Sequence, residues 1–360
     1  MQNPPSPFSC THTPQIPELL NQLQVSLALS TYQAGKMIFL SAPDQDSLVQ
    51  LPRNFNQPMG IALSHTGNKM ALACRDEVIE FRNHPSLAQH YPKSPNKYDA
   101  MYMPRVTYHT GPMDIHDLHW GAEDEIYGVN TLFSCLFKLS REHNYQPIWL
   151  PKFVTEMKSE DRCHLNGMAM KDGKPAFVTA FNQGNSYRSW KEELLDGGVL
   201  MDVDSKEIIT KELGMPHTPR IIGGEVFLLE SAKGALTKIH LDSGKKEIVF
   251  QTDAFLRGMD LIGDYLFISK SKLRKNSSSF GKLPFAEKAT EAGVLVVHLP
   301  SASLQGEIKY LTSVDEIYDL KIFPNQLRPN ILSTLTEDFK AGLALPDSSF
   351  WAIKKPNQNE

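Results

Sequence analysis

The chain has 360 residues, of which 41% are hydrophobic and 22% are charged, a composition typical of soluble globular proteins. Its 37 basic and 41 acidic residues give a formal net charge of −4, and no basic stripe of the kind that binds nucleic acid is present. No apolar run approaches the roughly 20 residues that span a bilayer, and the N-terminus lacks a secretory signal pattern. We therefore expect a cytoplasmic protein that binds neither nucleic acid nor membranes.

Motif content argues against several common enzyme classes. The sequence contains no GxSxG, HExxH or GxGxxG motif, no Walker loop and no EF-hand spacing. The usual serine hydrolases, zinc proteases, dinucleotide-binding oxidoreductases and nucleoside triphosphatases are therefore unsupported. The four cysteines form no CxxC pair, and four in a chain of this length do not indicate a disulfide framework.

Short segments rich in β-branched and aromatic residues follow one another along the chain. After a predicted helix in IPELLNQL, they are VSLALST, GKMIFLSA, KMALACRDEVIEF, EIYGVNTLFSCLFKL, PAFVTAF, GGVLMDVD, EVFLLES, ALTKIHLD, YLFISKS and GVLVVHLP. Turn signals such as HTGN, KDGK and DSGK separate them, and only SWKEELL offers a second helical pattern. Strands without intervening helices predict an all-β sandwich, barrel or propeller.

A repeat of blade length favours the propeller. Six segments share a polar start followed by apolar residues: QPMGIAL, DIHDLHW, HLNGMAM, HTPRIIG, FLRGMDLIG and EIYDLKIF. We take one residue of each segment as its anchor, namely Gly60, Asp117, Gly167, Arg220, Gly258 and Asp319. Successive anchors are 57, 50, 53, 38 and 61 residues apart. The mean of about 52 is close to the roughly 40–50 residues of a four-stranded blade. The sequence therefore predicts a six-bladed β-propeller with each anchor on an innermost strand.

The two ends of the chain are predicted to close the propeller. Little strand sequence follows Asp319, and VSLALST and GKMIFLSA would complete that blade and hide the sheet edges. We divide the chain into an N-terminal segment with a short helix (1–24), a single propeller (25–329) and a C-terminal capping tail (330–360). The polar stretch from Lys270 to Gly293 lacks a strand pattern and is predicted to be a loop over one face.

Three histidines fall at the starts of three consecutive blades. Alternation along a strand turns Asp114 with His116, and His164 with Asn166, toward one side, which we take as the channel. With His217, the two histidines would offer three neutral imidazoles to a divalent transition metal, namely Fe, Cu, Zn or Mn.

The registers of the three histidines differ in this alignment. His116 lies one residue before its anchor, whereas His164 and His217 lie three before theirs. A shift of two residues along a strand is about 6.6 Å, so Asp114 is an alternative to His116 as the inner ligand.

Other polar residues near the blade starts are candidates for catalysis and substrate binding. Asp114 and Asn166 are the catalytic candidates, and Arg220, Arg257 and Tyr318 would hold a small anionic substrate or a peptide. Each histidine could instead bond a neighbouring loop, and the arginines could form salt bridges to Asp260 or Glu316. Asn166 and Glu316 could also hold Ca²⁺, as oxygen ligands do in propeller lactonases.

These residues support several functions. We favour a metal-dependent enzyme that activates water or O₂, with oxidative chemistry ahead of hydrolysis because sites made of histidine alone suit iron or copper. The alternatives are a non-catalytic propeller that binds a protein partner, and a calcium-type hydrolase or lactonase.

Several longer motifs resemble those of a known family. STYQAGK, DIHDL, VNTLFSCL, DRCHLNGMA, MPHTPR, FLRGM and SKSKLR are similar to the shared motifs of an uncharacterised family of bacterial conserved hypothetical proteins with a domain of unknown function. The resemblance runs from about Ser26 to Pro284. The family usually has Ser at the position of Thr218 and Leu at that of Met259, and it carries the three histidines. It implies a propeller-like protein and supplies no reaction.

Overall fold

The computed structural model describes residues 5–273 and 280–352. Within them, six sheets of four or five strands stand around a central axis, and the innermost strand of each contacts the innermost strand of the next. The predicted all-β, six-bladed propeller is confirmed. We number the blade that contains Asp319 as blade 1, and blades 2 to 6 follow in chain order. Residues 1–4, 274–279 and 353–360, which belong to the predicted N-terminal segment, surface loop and capping tail, lie outside the described residues.

Blades 1 to 3 have the following strands, in order from the channel outwards. Blade 1 consists of Asp319–Pro324, Val25–Thr31, Lys36–Ser41 and Val49–Asn54. Blade 2 consists of Ile61–Leu63, Lys69–Ala73, Glu77–Asn83, Ala100–His109 and Pro329–Ile331. Blade 3 consists of Ile115–Trp120, Ile126–Asn130, Cys135–Lys138 and Gln146–Trp149.

Blades 4 to 6 have the same arrangement. Blade 4 consists of Leu165–Lys171, Lys174–Ala180, Gly198–Asp202 and Ile208–Leu213. Blade 5 consists of Pro216–Ile222, Glu225–Glu230, Ala235–His240 and Lys245–Gln251. Blade 6 consists of Phe255–Ile262, Tyr265–Ser271, Gly293–His298, Ser303–Tyr310 and Cys10–His12. A separate hairpin is formed by Gly342–Ala344 and Ser349–Trp351.

Helices are few and short. The α-helices are α1, Gln15–Gln22, and α2, Pro85–Gln89, and the 3₁₀ helices are Ala122–Asp124, Ser189–Glu192, Phe280–Lys282, Leu299–Ser301 and Asp338–Ala341. The predicted N-terminal helix corresponds to α1, whereas SWKEELL forms only a single 3₁₀ turn. No helix in residues 5–273 or 280–352 is long and apolar enough to cross a membrane.

The chain ends close the ring as expected. In blade 1, Leu29 of the N-terminal strand lies opposite Leu320 of the C-terminal one. The strand Cys10–His12 covers the outer edge of blade 6, and Pro329–Ile331 runs parallel along the outer edge of blade 2. Both additions cover strands that would otherwise present free N–H and C=O groups to other chains.

The core lies between the blades. Alternate residues of each sheet face the neighbouring blade and form apolar clusters. One example is the cluster of Leu27, Leu29, Val294 and Val296 between blades 1 and 6. The four cysteines are free thiols, and three of them are buried in these layers. Blade packing therefore follows from period-two alternation of apolar residues.

Candidate functional site

The innermost strands of blades 3 to 6 share a β-bulge near their start. The pairing with the second strand slips between Ile115 and Leu118, between Leu165 and Met168, between His217 and Arg220, and between Leu256 and Met259. A bulge leaves extra residues without a partner in the ladder and re-aims their side chains. The residues within these bulges include His116, Asn166, Thr218 and Arg257.

The strand pairing in blades 3 and 5 corrects the predicted alignment of the blade 5 segment with the others. Asn130 lies opposite Ile115 in blade 3, and Glu230 lies opposite Pro216 in blade 5, so His116 and His217 occupy the same structural position. A left-handed residue stands three positions before the anchor in four blades, with φ of 50°, 50°, 49° and 48° at Gln57, Asp114, His164 and Met215. The anchor of blade 5 is therefore Thr218, and the expected anchor Arg220 is wrong by two residues.

The residue just before each anchor has an equivalent place at the start of its innermost strand, and these six residues are called the channel ring. In order from blade 1 to blade 6 they are Tyr318, Met59, His116, Asn166, His217 and Arg257. His164 is not in the ring. It has the position that Asp114 has in blade 3, two residues before the ring residue of its own blade. Below the ring, a cavity of about 10 Å³ is lined by His116, Asn166, His217, Tyr318 and the anchors Asp117, Gly167, Thr218 and Asp319. It has room for roughly one water molecule or ion.

The Nδ1 hydrogen of His116 is held by the protein. His116 Nδ1 lies 2.8 Å from the Asp114 carbonyl oxygen and 2.8 Å from Thr131 Oγ1. A carbonyl can only accept, and the Thr131 hydroxyl donates to the Leu165 carbonyl at 2.6 Å, so Nδ1 is the donor. Burial, with His164 and Arg257 nearby, holds the pKa of His116 well below its ordinary value. The ring is neutral, with a lone pair on Nε2.

His217 repeats this arrangement two blades further on. Its Nδ1 donates to the Met215 carbonyl at 2.9 Å and to Ser231 Oγ at 2.6 Å, and the Ser231 hydroxyl donates to the Leu256 carbonyl of blade 6. Burial and the charge of Arg257 hold the pKa of His217 well below its ordinary value. Thr131 and Ser231 therefore each fix one imidazole and tie two adjacent blades together.

His164 is fixed by a carboxylate instead. Its Nδ1 lies 3.0 Å from Asp161 Oδ1, and Trp190 Nε1 donates to Asp161 Oδ2 at 3.0 Å. The His164 ring contacts His116 edge to face, with 4.8 Å between centroids, and packs on Phe181 and Trp190 at 4.3 and 4.4 Å. All three predicted histidines thus hold Nδ1 against an acceptor and keep Nε2 available.

Arg257 forms the cationic part of the ring. Its guanidinium pairs with Glu316 and lies over the face of Tyr318, with 4.3 Å from Cζ to the ring centroid. The predicted alternative of a salt bridge to Glu316 is thus present. The Tyr318 ring in turn lies 5.2 Å from that of His116. Tyr318 therefore contacts both Arg257 and His116.

Five buried polar atoms at this mouth have no hydrogen-bonding partner within the part of the chain that the structure describes. We call them the open polar atoms: Asn166 Nδ2, His217 Nε2, Arg257 Nε, Glu316 Oε2 and Tyr318 OH. Buried polar groups in proteins are nearly always paired, because leaving one unpaired costs about 1–3 kcal/mol. Donors and acceptors collected in one place indicate a polar ligand.

Arg220 lies in a deeper layer of the channel, away from the ring. Its Nη1 is 3.5 Å from Asp117 Oδ2, and His119 Nε2 is 3.2 Å from Asp117 Oδ1. Although burial alone would raise it, the pKa of Asp117 is held below its ordinary value by His119 and Arg220. Burial raises the pKa of Asp319 to about 6, opposed by Lys321. The prediction that Arg220 and Arg257 share one cavity is not supported by this placement.

Asp114 lies at the rim of the mouth. Its backbone carbonyl orients His116, and burial together with the charge of Asp161 raises the pKa of its carboxyl group. Asn166 is in the ring between the two blades that carry His116 and His217. Catalytic roles for Asp114 and Asn166 stay predictions.

An apolar layer covers one side of the mouth. Phe181, Trp190 and Phe255, which contact His164 and His217, pack against Leu283 and Phe285 of the predicted surface loop. The described part of that loop therefore lies over the histidine side of the propeller, as expected.

In the described residues, the structure does not bring three potential metal ligands together. Across the described residues, no three His, Cys, Asp or Glu side chains stand close enough together to hold a metal ion. The donor chemistry fits, since three imidazoles present Nε2 with Nδ1 held by acceptors, which is the usual support of a metal-binding histidine. A transition metal at His116, His164 and His217 stays a prediction.

Sequence reasoning missed several residues of the site. Thr131 and Ser231 each follow the polar end of a second strand, in VNT and LES, and this shared offset from the ring histidines is the signal that could have identified them. Trp190 lies in the short 3₁₀ helix Ser189–Glu192 and Asp161 in an irregular segment, and their contact with His164 depends on how these connections fold.

Comparison with known proteins supports the fold. A chain of the crystal structure of the Nidogen/Laminin Complex aligns with a TM-score of 0.52 at 7% identity, covering 84% of this chain and 99% of that chain. A catalytically inactive variant of virginiamycin B lyase from Staphylococcus aureus with Quinupristin aligns with a TM-score of 0.41 at 10% identity, covering 80% of each chain. At these identities the first likeness shows the fold alone, and the second carries no argument.

Family membership follows from the sequence. No curated protein matches the chain. The sequence profile of one family matches residues 14–332, which include every ring residue and every blade strand except Cys10–His12, as the resemblance of the motifs implied. The chain belongs to the family described as Domain of unknown function (DUF4915).

Proposed function

We propose that the chain is an enzyme that acts on a small anionic substrate at the channel ring, with His116, His164 and His217 as ligands of a divalent transition metal. One observation carries this proposal. Three imidazoles at one mouth have Nδ1 held by Asp114, Asp161 and Met215, which leaves the three Nε2 atoms without a structural role.

The electrostatics of the mouth favour neutral ligands. Burial keeps His116 and His217 unprotonated at neutral pH, and a neutral imidazole is the form that binds a metal. The hydroxyls of Thr131 and Ser231 and the carboxylate of Asp161 orient the rings. Such outer partners commonly change metal affinity by 10- to 100-fold.

Arg257 supplies the binding group for the anion. Its guanidinium is fixed by stacking on Tyr318 and lies close enough to His116 and His217 to lower the pKa of both. A metal with open positions would activate water or O₂ for attack on the substrate. The protein residues would orient the anion beside that position, and the apolar layer of Phe181 and Trp190 would limit the access of bulk water.

Elemental analysis of protein purified without chelator tests the proposal. We expect near-stoichiometric Fe, Cu, Zn or Mn in the wild type and its loss in His164→Ala and His217→Ala. His65→Ala is the matched control, because His65 is exposed and lies in the turn between the strands Ile61–Leu63 and Lys69–Ala73, and it should keep the metal. Wild-type protein that is metal-free and cannot be reloaded, or ring variants that keep full metal, would contradict the proposal and favour the binding-module alternative.

A further inference from the structure

The ion pair between Arg257 and Glu316 leaves half of each partner unused. Arg257 Nη1 pairs with Glu316 Oε1, and both side chains are only 14% exposed. Arg257 Nε and Glu316 Oε2 are both open polar atoms. A guanidinium and a carboxylate bind most strongly through two parallel hydrogen bonds. This pair has only one, so Arg257 Nε can still donate to another group.

The side chain of Arg257 has more contacts at this site than that of Glu316. Arg257 belongs to the strand Phe255–Ile262 and stacks on Tyr318. Glu316 lies in the irregular segment between Tyr310 and Asp319, outside any strand. Within the described residues the Glu316 carboxylate is held by Arg257 alone, whereas the Arg257 guanidinium is also held by its contact with the Tyr318 ring.

The charges allow only one carboxylate at Arg257. Arg257 is the one Lys or Arg among the six ring residues, and Glu316 offsets its charge. A ligand carboxylate that entered beside Glu316 would place two carboxylates on the single guanidinium of Arg257, and like charges at close range are costly in a buried site.

We infer that Glu316 occupies the place of a ligand carboxylate at Arg257, and that the channel ring takes a small monocarboxylate which displaces Glu316. The open atoms Arg257 Nε and Tyr318 OH supply the contacts that the Glu316 carboxylate does not make. This inference deepens the proposed function, on which it rests for the location of the substrate. Glu316 would then select against weakly bound anions, because each ligand must compete with it.

Binding of acetate as a probe tests the inference. Acetate and its neutral isostere acetamide are titrated by ligand-observed NMR at constant ionic strength against the wild type, Glu316→Gln and Arg257→Gln. Glu316→Gln keeps the shape of the side chain and removes its charge, so we expect it to bind acetate at least tenfold more tightly than the wild type. Acetamide affinity should be the same in both proteins, and Arg257→Gln should bind acetate at least tenfold more weakly than Glu316→Gln.

Two further measurements keep the result interpretable. Arg257→Lys retains the positive charge and should bind acetate more tightly than Arg257→Gln, which a mere loss of folding would not produce. Metal content is measured in parallel, so that failure of the metal proposal is seen separately from failure of the anion site. Equal acetate affinity in wild type and Glu316→Gln, including no binding by either, or full affinity in Arg257→Gln, would overturn the inference.

Discussion

The close contact between blades 6 and 1 gives a prediction that can be worked from distances. A Cβ atom at Gly258 would lie 2.6 Å from the Leu320 nitrogen and 2.8 Å from the Asp319 Cα. Ordinary contact begins near 3.4 Å, so two backbones would have to separate by roughly 0.8 Å. We expect Gly258→Ala to lower the free energy of unfolding by about 1–3 kcal/mol, because overpacking against backbone outweighs the 0.4–1 kcal/mol gained from a stiffer unfolded chain.

Gly60→Ala is the matched control. At Gly60 the nearest atoms to an added Cβ, in Asp117 and Leu118, lie 3.2–3.3 Å away, so mild crowding and the gain in the unfolded chain should offset each other to within about 0.5 kcal/mol. Urea unfolding followed by tryptophan fluorescence measures both variants. Equal stability of the two, or a Gly258→Ala protein as stable as the wild type, would refute the reasoning about blade contact.

Three further predictions concern the ring and the channel. Tyr318→Phe removes an open hydroxyl, so its unfolding free energy should stay within about 0.5 kcal/mol of the wild type while acetate affinity falls; a loss above 1 kcal/mol in urea would contradict this. Ser231→Ala leaves the Leu256 carbonyl without its donor and should cost about 1–3 kcal/mol in urea unfolding, and a cost near zero would count against the role of Ser231. Burial raises the pKa of Asp319 to about 6, so its stabilising contribution is complete below about pH 4 and is lost as the pH rises through 6; a carboxyl ¹³C NMR midpoint at or below 4 would show this to be wrong.

Much of the fold was predictable because the relevant signals are local. Short alternating strands, glycine turns and the repeat of about 52 residues each arise from one or two adjacent strands. The closure of blade 1 was also predictable, since Asp319 lacks following strands and the N-terminus supplies two. The helix in SWKEELL was wrong: only Ser189–Glu192 forms a 3₁₀ turn, in which Trp190 donates to Asp161.

The candidate site was predictable only in part. His116, Asn166, His217, Arg257 and Tyr318 were chosen from their places at strand starts, and the structure brings all five into the channel ring. Their partners are set by contacts between blades, for example the hydroxyl of Thr131 that reaches the carbonyl of Leu165. A local pattern does not specify which hydroxyl or carboxylate from another blade will meet a given imidazole.

By itself, the sequence determined the strands, their repeat, the closing blade and the set of polar residues near the axis. Only the tertiary structure decided their register, because a β-bulge adds a residue to one strand and breaks the period-two alternation on which a sequence alignment depends. The ladder pairing of Pro216 with Glu230 sets the anchor of blade 5 at Thr218 rather than Arg220 and places His217 level with His116, while His164 lies two residues before the ring residue of its own blade. Arg220 therefore lies in the deeper layer beside Asp117, and Arg257 is the cation of the ring. Side-chain direction follows the hydrogen-bond register of a strand rather than distance along the chain.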